Sequence, residues 1–134
     1  MTDANAKFVT KPNFYTLSEA QAQVRSAMAV RSPDFIYQEN YGQGACQYEV
    51  DGQPACLLGV AWRTAGYDGS FEEFNQEEFY ATPLYTYYTE AAREFLTSAQ
   101  ELQDGGSSWA NAYSLSSAHV EELMAKGEIK GDVE

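Results

Sequence analysis

Between Pro83 and Gly105 the chain carries its most restrictive pattern: Tyr88, Ala91, Ala92, Phe95, Leu96, Ala99 and Leu102 recur at intervals of three and four residues. That spacing puts all seven side chains on one broad helical face, which another element must bury. Gly105-Gly106 ends the pattern. The spacing therefore predicts a helix over about 85–103.

Thr16-Leu17-Ser18-Glu19 has the form of a capping box, and Leu17, Ala20, Val24, Ala27 and Met28 follow at helical spacing until Pro33 forbids continuation. A helix over about 17–31 is predicted. Phe35-Ile36-Tyr37 is short, apolar and β-prone, and reads as a strand. Cys46, Tyr48 and Val50 alternate with polar residues up to the turn signal Asp51-Gly52, so a half-buried strand ending in a tight turn is expected. Beyond it, Pro54 and the face Cys56, Leu57, Val60, Ala61 and Thr64 favour a short helix over about 54–65, with a returning hairpin strand as the alternative. Residues 67–83 lack a clean period and favour helical turns over strand. Ser107 or Ser108 can cap a last helix through Trp109, Ala112, Tyr113, Ser116, Val120 and Leu123, with a break near Ser116-Ser117 left open. The fold class predicted is α+β, mostly helical with about four helices and a small antiparallel sheet of two or three short strands. Residues 1–13 and 128–134 are expected to be loosely ordered ends.

The 134 residues suffice for one domain, which buries roughly two-thirds of the surface its unfolded chain exposes. Ten Tyr, seven Phe and two Trp supply a packed core and argue against disorder. Met1–Lys11 has no apolar core of a signal peptide, and no stretch approaches the roughly 20 apolar residues of a membrane span, so a cytoplasmic protein is expected. On that reading Cys46 and Cys56 are reduced thiols serving as small core residues.

The formal charge of −12 is unevenly placed. Residues 1–66 hold six acids and five bases, whereas residues 67–134 hold fourteen acids and three bases, so nearly all of the excess lies after Gly66. Binding to nucleic acid or to an anionic membrane needs Lys and Arg to neutralise phosphates, and this composition disfavours both.

Two motifs stand out: Cys46-Gln-Tyr48 through Gly52-Gln-Pro54-Ala-Cys56-Leu57-Leu-Gly59, of the form C-x-Y-x3-G-x-P-x-C-L-x-G, and Ala99-Gln100 through Gln103-Asp104, Gly106 and Trp109, of the form A-Q-x2-Q-D-x-G-x2-W. With the Ala-rich helix and Pro-Asp-Phe-x-Tyr lead-in over Ser18–Tyr37, they resemble small uncharacterised proteins of actinobacteria and their bacteriophages, over about residues 16–112. The resemblance implies a source and no activity. In that pattern a His often follows the glycine corresponding to Gly59; this chain has Val60.

No catalytic, metal or cofactor residue is assigned. His119 is the only histidine, and Cys46, Cys56 and His119 match no zinc module. Asp68-Gly69-Ser70 fails the calcium-loop pattern, because Glu73 and Phe79 stand where Gly and Glu are required. Gly42-Gln43-Gly44 is too short to cradle phosphate. Gln103, Asp104 and Trp109 read as structural, with Asp104 capping a helix end and Trp109 anchoring the core.

What remains is the segment Tyr67–Glu90, where Asp68, Glu72, Glu73, Glu77, Glu78 and Glu90 are threaded through aromatics without one Lys or Arg. The bland reading is a solvated edge over an aromatic core. The functional reading is a surface in which Asp68, Glu72, Glu73, Glu77 and Glu78, with Phe74 and Tyr80 as anchors, bind a protein that presents a basic face. Two alternatives stay open: a small-ligand-binding protein or enzyme with a pocket near the Cys46–Gly59 turn and Trp109, and a self-associating structural protein.

Overall fold

The computed structural model describes residues 14–41, 47–67, 69–75 and 77–130. These form five α-helices: α1 (Leu17–Val30), α2 (Tyr37–Tyr41), α3 (Leu57–Ala65), α4 (Glu90–Asp104) and α5 (Trp109–Ala125). A two-stranded antiparallel sheet, β1 (Glu49–Val50) with β2 (Gln53–Pro54), precedes α3. Three 3-10 turns, Glu72–Phe74, Phe79–Ala81 and Pro83–Tyr87, fill the stretch between α3 and α4. The mostly helical α+β architecture predicted from the sequence is the one observed.

The apolar stripe lies where the pattern demands. Ala91, Ala92, Phe95, Leu96 and Ala99 of α4 are fully buried, α5 returns antiparallel beside α4, and α1 packs across α3, α4 and α5. Thr16 and Glu19 form the expected capping box, the Glu19 amide donating to Thr16 Oγ1 at 3.2 Å and the Thr16 amide to Glu19 Oε1 at 2.9 Å. Thr89 caps α4 in the same way, so this helix starts later than the stripe suggests. The two caps are tied together, because the Tyr15 amide donates to the Tyr87 carbonyl at 2.8 Å and the Thr89 amide to the Tyr15 carbonyl at 2.9 Å.

Phe35–Tyr37 is not a strand. The Phe35 carbonyl accepts from the Trp109 amide at 2.9 Å and the Pro33 carbonyl from the Ala110 amide at 2.8 Å. The segment thus satisfies amides that the first turn of α5 would otherwise leave orphaned, and only Ile36 makes a single bridge, to Ser108. Tyr37 then opens α2. After β1, both readings weighed for the next segment hold in part: Asp51 and Gly52 adopt positive φ (53° and 80°), the geometry of a tight hairpin turn, Gln53–Pro54 pairs back, and α3 begins only at Leu57. Pro54 closes the hairpin rather than opening the helix. The break in α5 does not occur, because Ser116 is buried and bonded to Ser98 Oγ at 2.8 Å.

The lead-in expected over 1–13 lies outside the described residues. Residues 128–130, expected to fray, are held: the Glu128 amide donates to the Leu123 carbonyl, Ile129 packs on the core and the Lys130 amide donates to Glu90. Cys56 corrects the thiol expectation. It is buried as foreseen, but its sulfur is in a disulfide. The other cysteine, Cys46, lies outside the described residues.

Candidate functional site

The two motifs meet in the interior. Gln103 of α4 accepts the Leu57 amide on Oε1 at 2.8 Å, doing for the first turn of α3 what the preceding Cys56 sulfur does not. Through Nε2 the same side chain donates to Asp104 Oδ1 at 2.6 Å, while Gln100 Nε2 lies 3.7 Å from Cys56 Sγ. Gly59 lies against the Tyr48 backbone so closely that a Cβ there would overlap the Tyr48 carbonyl oxygen. The motif residues therefore clamp α3, α4 and the hairpin together. Asp104 does not cap the helix end as expected; its carboxylate takes the Gln103 bond instead.

Trp62 and Tyr88 extend this interior. Trp62 Nε1 donates to Tyr88 OH at 3.0 Å, and Tyr88 OH donates to Gln23 Oε1 at 2.7 Å, so α3, the start of α4 and α1 share one buried chain of hydrogen bonds. Burial pushes the Tyr88 phenol far above its usual range. These contacts were not legible beforehand, since nothing in the sequence marks Gln23 as the interior polar residue of α1.

Tyr48 and Cys56 of the Cys46–Gly59 turn and Trp109, the region considered for a ligand pocket, are completely buried. Gln100 Oε1 and Trp109 Nε1 are buried without a hydrogen-bond partner.

The acidic segment is the opposite case. Glu72, Glu73, Glu77, Glu78 and Tyr80 are all exposed, Tyr80 at 67%, and none of the four carboxylates makes an ion pair with another described residue. Asp68 lies outside the described residues. Phe74 overturns its assignment as a surface anchor. It is 7% exposed and packs its ring 5.7 Å from Tyr48 and 5.8 Å from Phe71. The physical reason is the 3-10 turn: Glu72 and Glu73 face outward and Phe74 falls inward. Phe71 and Phe79 are buried too, so the aromatics of the segment form a cluster with Tyr48, Trp62, Tyr85 and Tyr88.

That cluster supports the backbone of the acidic ridge. Asn75 pairs with Glu49 on both sides, its Oδ1 accepting the Glu49 amide and its Nδ2 donating to the Glu49 carbonyl, each at 2.9 Å, so it behaves as a further rung on the edge of β1. Tyr48 OH donates to the Glu77 carbonyl at 2.7 Å. The backbone that carries the carboxylates is thereby held both from below and from the side.

The ridge also runs further than the sequence segment. Partial burial raises the Asp104 carboxyl to about 6, and the charges on Glu78 and Glu101 add to the effect. Glu78 on the 3-10 layer and Asp104 and Glu101 at the end of α4 thus share one acidic field. A clue lay in the Gln-Asp motif, whose Asp was assigned a capping role.

No protein-family model, curated protein or solved structure matches this chain.

Proposed function

We propose that this chain is a non-enzymatic accessory protein of the phage type. It binds another protein, one with a basic face, through the acidic ridge Glu72, Glu73, Glu77 and Glu78 with Tyr80, and in doing so covers a surface that the partner uses for nucleic acid. The single observation that carries the reading is the set of exposed carboxylates, without an ion pair among the described residues, on a backbone held by buried aromatics. A backbone already held in place needs little ordering on binding, and the field of the carboxylates accelerates encounter with a basic surface. The same field opposes direct contact with nucleic acid.

A non-enzymatic reading is supported by the state of the reactive side chains. Cys56 is in a disulfide and His119 Nε2 is engaged with Glu94 at 3.2 Å on the surface. No helix among the described residues is long and apolar enough to cross a membrane. We place the protein in the cytoplasm of a host cell; the disulfide of Cys56 runs against that placement, because cytosolic thiol pools keep most cysteines reduced.

Affinity capture from a bacterial lysate, with the wild type and with Glu72→Lys, Glu73→Lys, Glu77→Lys and Glu78→Lys combined, tests the proposal. The wild type is expected to retain a basic protein at low salt and release it as salt rises, the reversed variant to retain none, and both to melt alike, since exposed substitutions alter stability by about 0.5 kcal/mol or less each. Retention indifferent to the reversal, or no retained protein, overturns it.

A further inference from the structure

The ridge supplies charge but almost no apolar contact, because Phe71, Phe74 and Phe79 are turned inward. Charge complementarity mainly sets encounter rate and specificity, whereas residence depends on apolar anchors seated in pockets. Tyr80 is the ridge's exposed aromatic, so further anchors are to be sought beside it.

A groove of about 410 Å³ runs between α4 and α5, bounded by Glu94, Thr97, Ser98, Glu101 and Leu102 on one helix and Leu115 and His119 on the other, with Leu102 and Leu115 as its apolar contacts. Leu115 is 55% exposed, one of the few large apolar side chains left in water among the described residues. Ser98 and Ser116 bond across the two helices beneath it. Glu101 lines the groove and lies one helical turn from Asp104 on α4. His119 holds Glu94 at 3.2 Å, which fixes one end of the acidic rim.

We infer that this groove is the apolar socket of the partner-binding surface and receives one face of a basic amphipathic helix, an inference that rests on the ridge being a protein-binding site. Glu94 and Glu101 are two helical turns apart on α4, about 10 Å along its axis. A partner helix with Lys or Arg at positions i and i+7 matches that separation. Apolar residues at i+3 and i+4 then fall between the two charges, over Leu102 and Leu115. The volume accommodates two such side chains at the small end of the range typical of binding pockets.

Two labelled 18-residue synthetic helices of equal charge serve as probes, one alternating faces of Lys and Leu, the other Lys and Ala, titrated into the full chain by fluorescence anisotropy. The Leu peptide is expected to bind at least about tenfold more tightly than the Ala peptide. Leu115→Gln, an exposed substitution, should remove about that factor for the Leu peptide and leave the Ala peptide unchanged. Glu101→Lys should weaken both. If Leu115→Gln leaves the Leu peptide unaffected while reversal of Glu72, Glu73, Glu77 and Glu78 abolishes binding, the socket is wrong and the ridge stands. If neither peptide binds at low salt, both readings fall.

Discussion

The motif clamp and the acidic ridge sit on the same aromatic cluster and use their polar side chains in opposite ways. In the clamp, Gln100 and Gln103 turn inward, and Gln103 satisfies a helix terminus and a carboxylate at once. On the ridge, Glu72, Glu73, Glu77 and Glu78 turn outward and make no ion pair with another described residue. The difference teaches that a polar residue among aromatics carries no meaning by type alone. What decides it is whether the fold brings an orphaned backbone group within reach.

If the clamp is structural, its tightest contact should be the least forgiving. Gly59→Ala forces a methyl group onto the Tyr48 carbonyl, a backbone atom that cannot step aside without moving β1. The expected cost is about 3 kcal/mol or more, seen in chemical denaturation or as failure to accumulate folded protein. An unaltered midpoint would break the contrast between the two regions.

Gln103→Leu probes the polar half of the clamp. It leaves the Leu57 amide buried without an acceptor and Asp104 without its donor, for an expected loss of about 2 kcal/mol. Thermal unfolding of the two proteins side by side measures it.

Asp104 stands between the regions, bonded to the clamp and electrostatically part of the ridge, and its response is the smallest and the most diagnostic. Its carboxyl is raised from 3.8 to about 6 on folding, so between those values the folded state holds the extra proton. Stability contributed by that proton is fully present below about pH 4 and is lost as pH rises through about 6. Asp104→Asn keeps the oxygen that accepts from Gln103 and removes the charge. The variant is expected to melt a little higher than the wild type at about pH 7.5, with the gap closing by about pH 4, in paired melting curves. A gap independent of pH would mean that burial and the charges on Glu78 and Glu101 do not raise this carboxyl.

Local pattern was a good guide to helix existence and a poor one to partners. The capping box at Thr16–Glu19, the stripe of α4, the turn at Asp51-Gly52 and the cap at Ser108 are each written in adjacent residues, and each formed. Phe35–Tyr37 misled because β-propensity describes a side chain's fit to a pleated surface and says nothing of which backbone groups need a partner. Phe74 misled because a 3-10 turn, with three residues per turn, sends the third residue back toward the core. The segment has no period that would have announced it.

By itself, then, the sequence determined four of the five described helices, the hairpin turn and the charge asymmetry, because these depend on neighbours in the chain or on composition. Tertiary structure alone decided that Gln103 would complete α3, that Phe71, Phe74 and Phe79 would line the interior, and that Glu78, Asp104 and Glu101 would share one field. Each of those outcomes depends on groups far apart in the chain coming within hydrogen-bond, contact or Coulomb range, and no window of sequence contains both members.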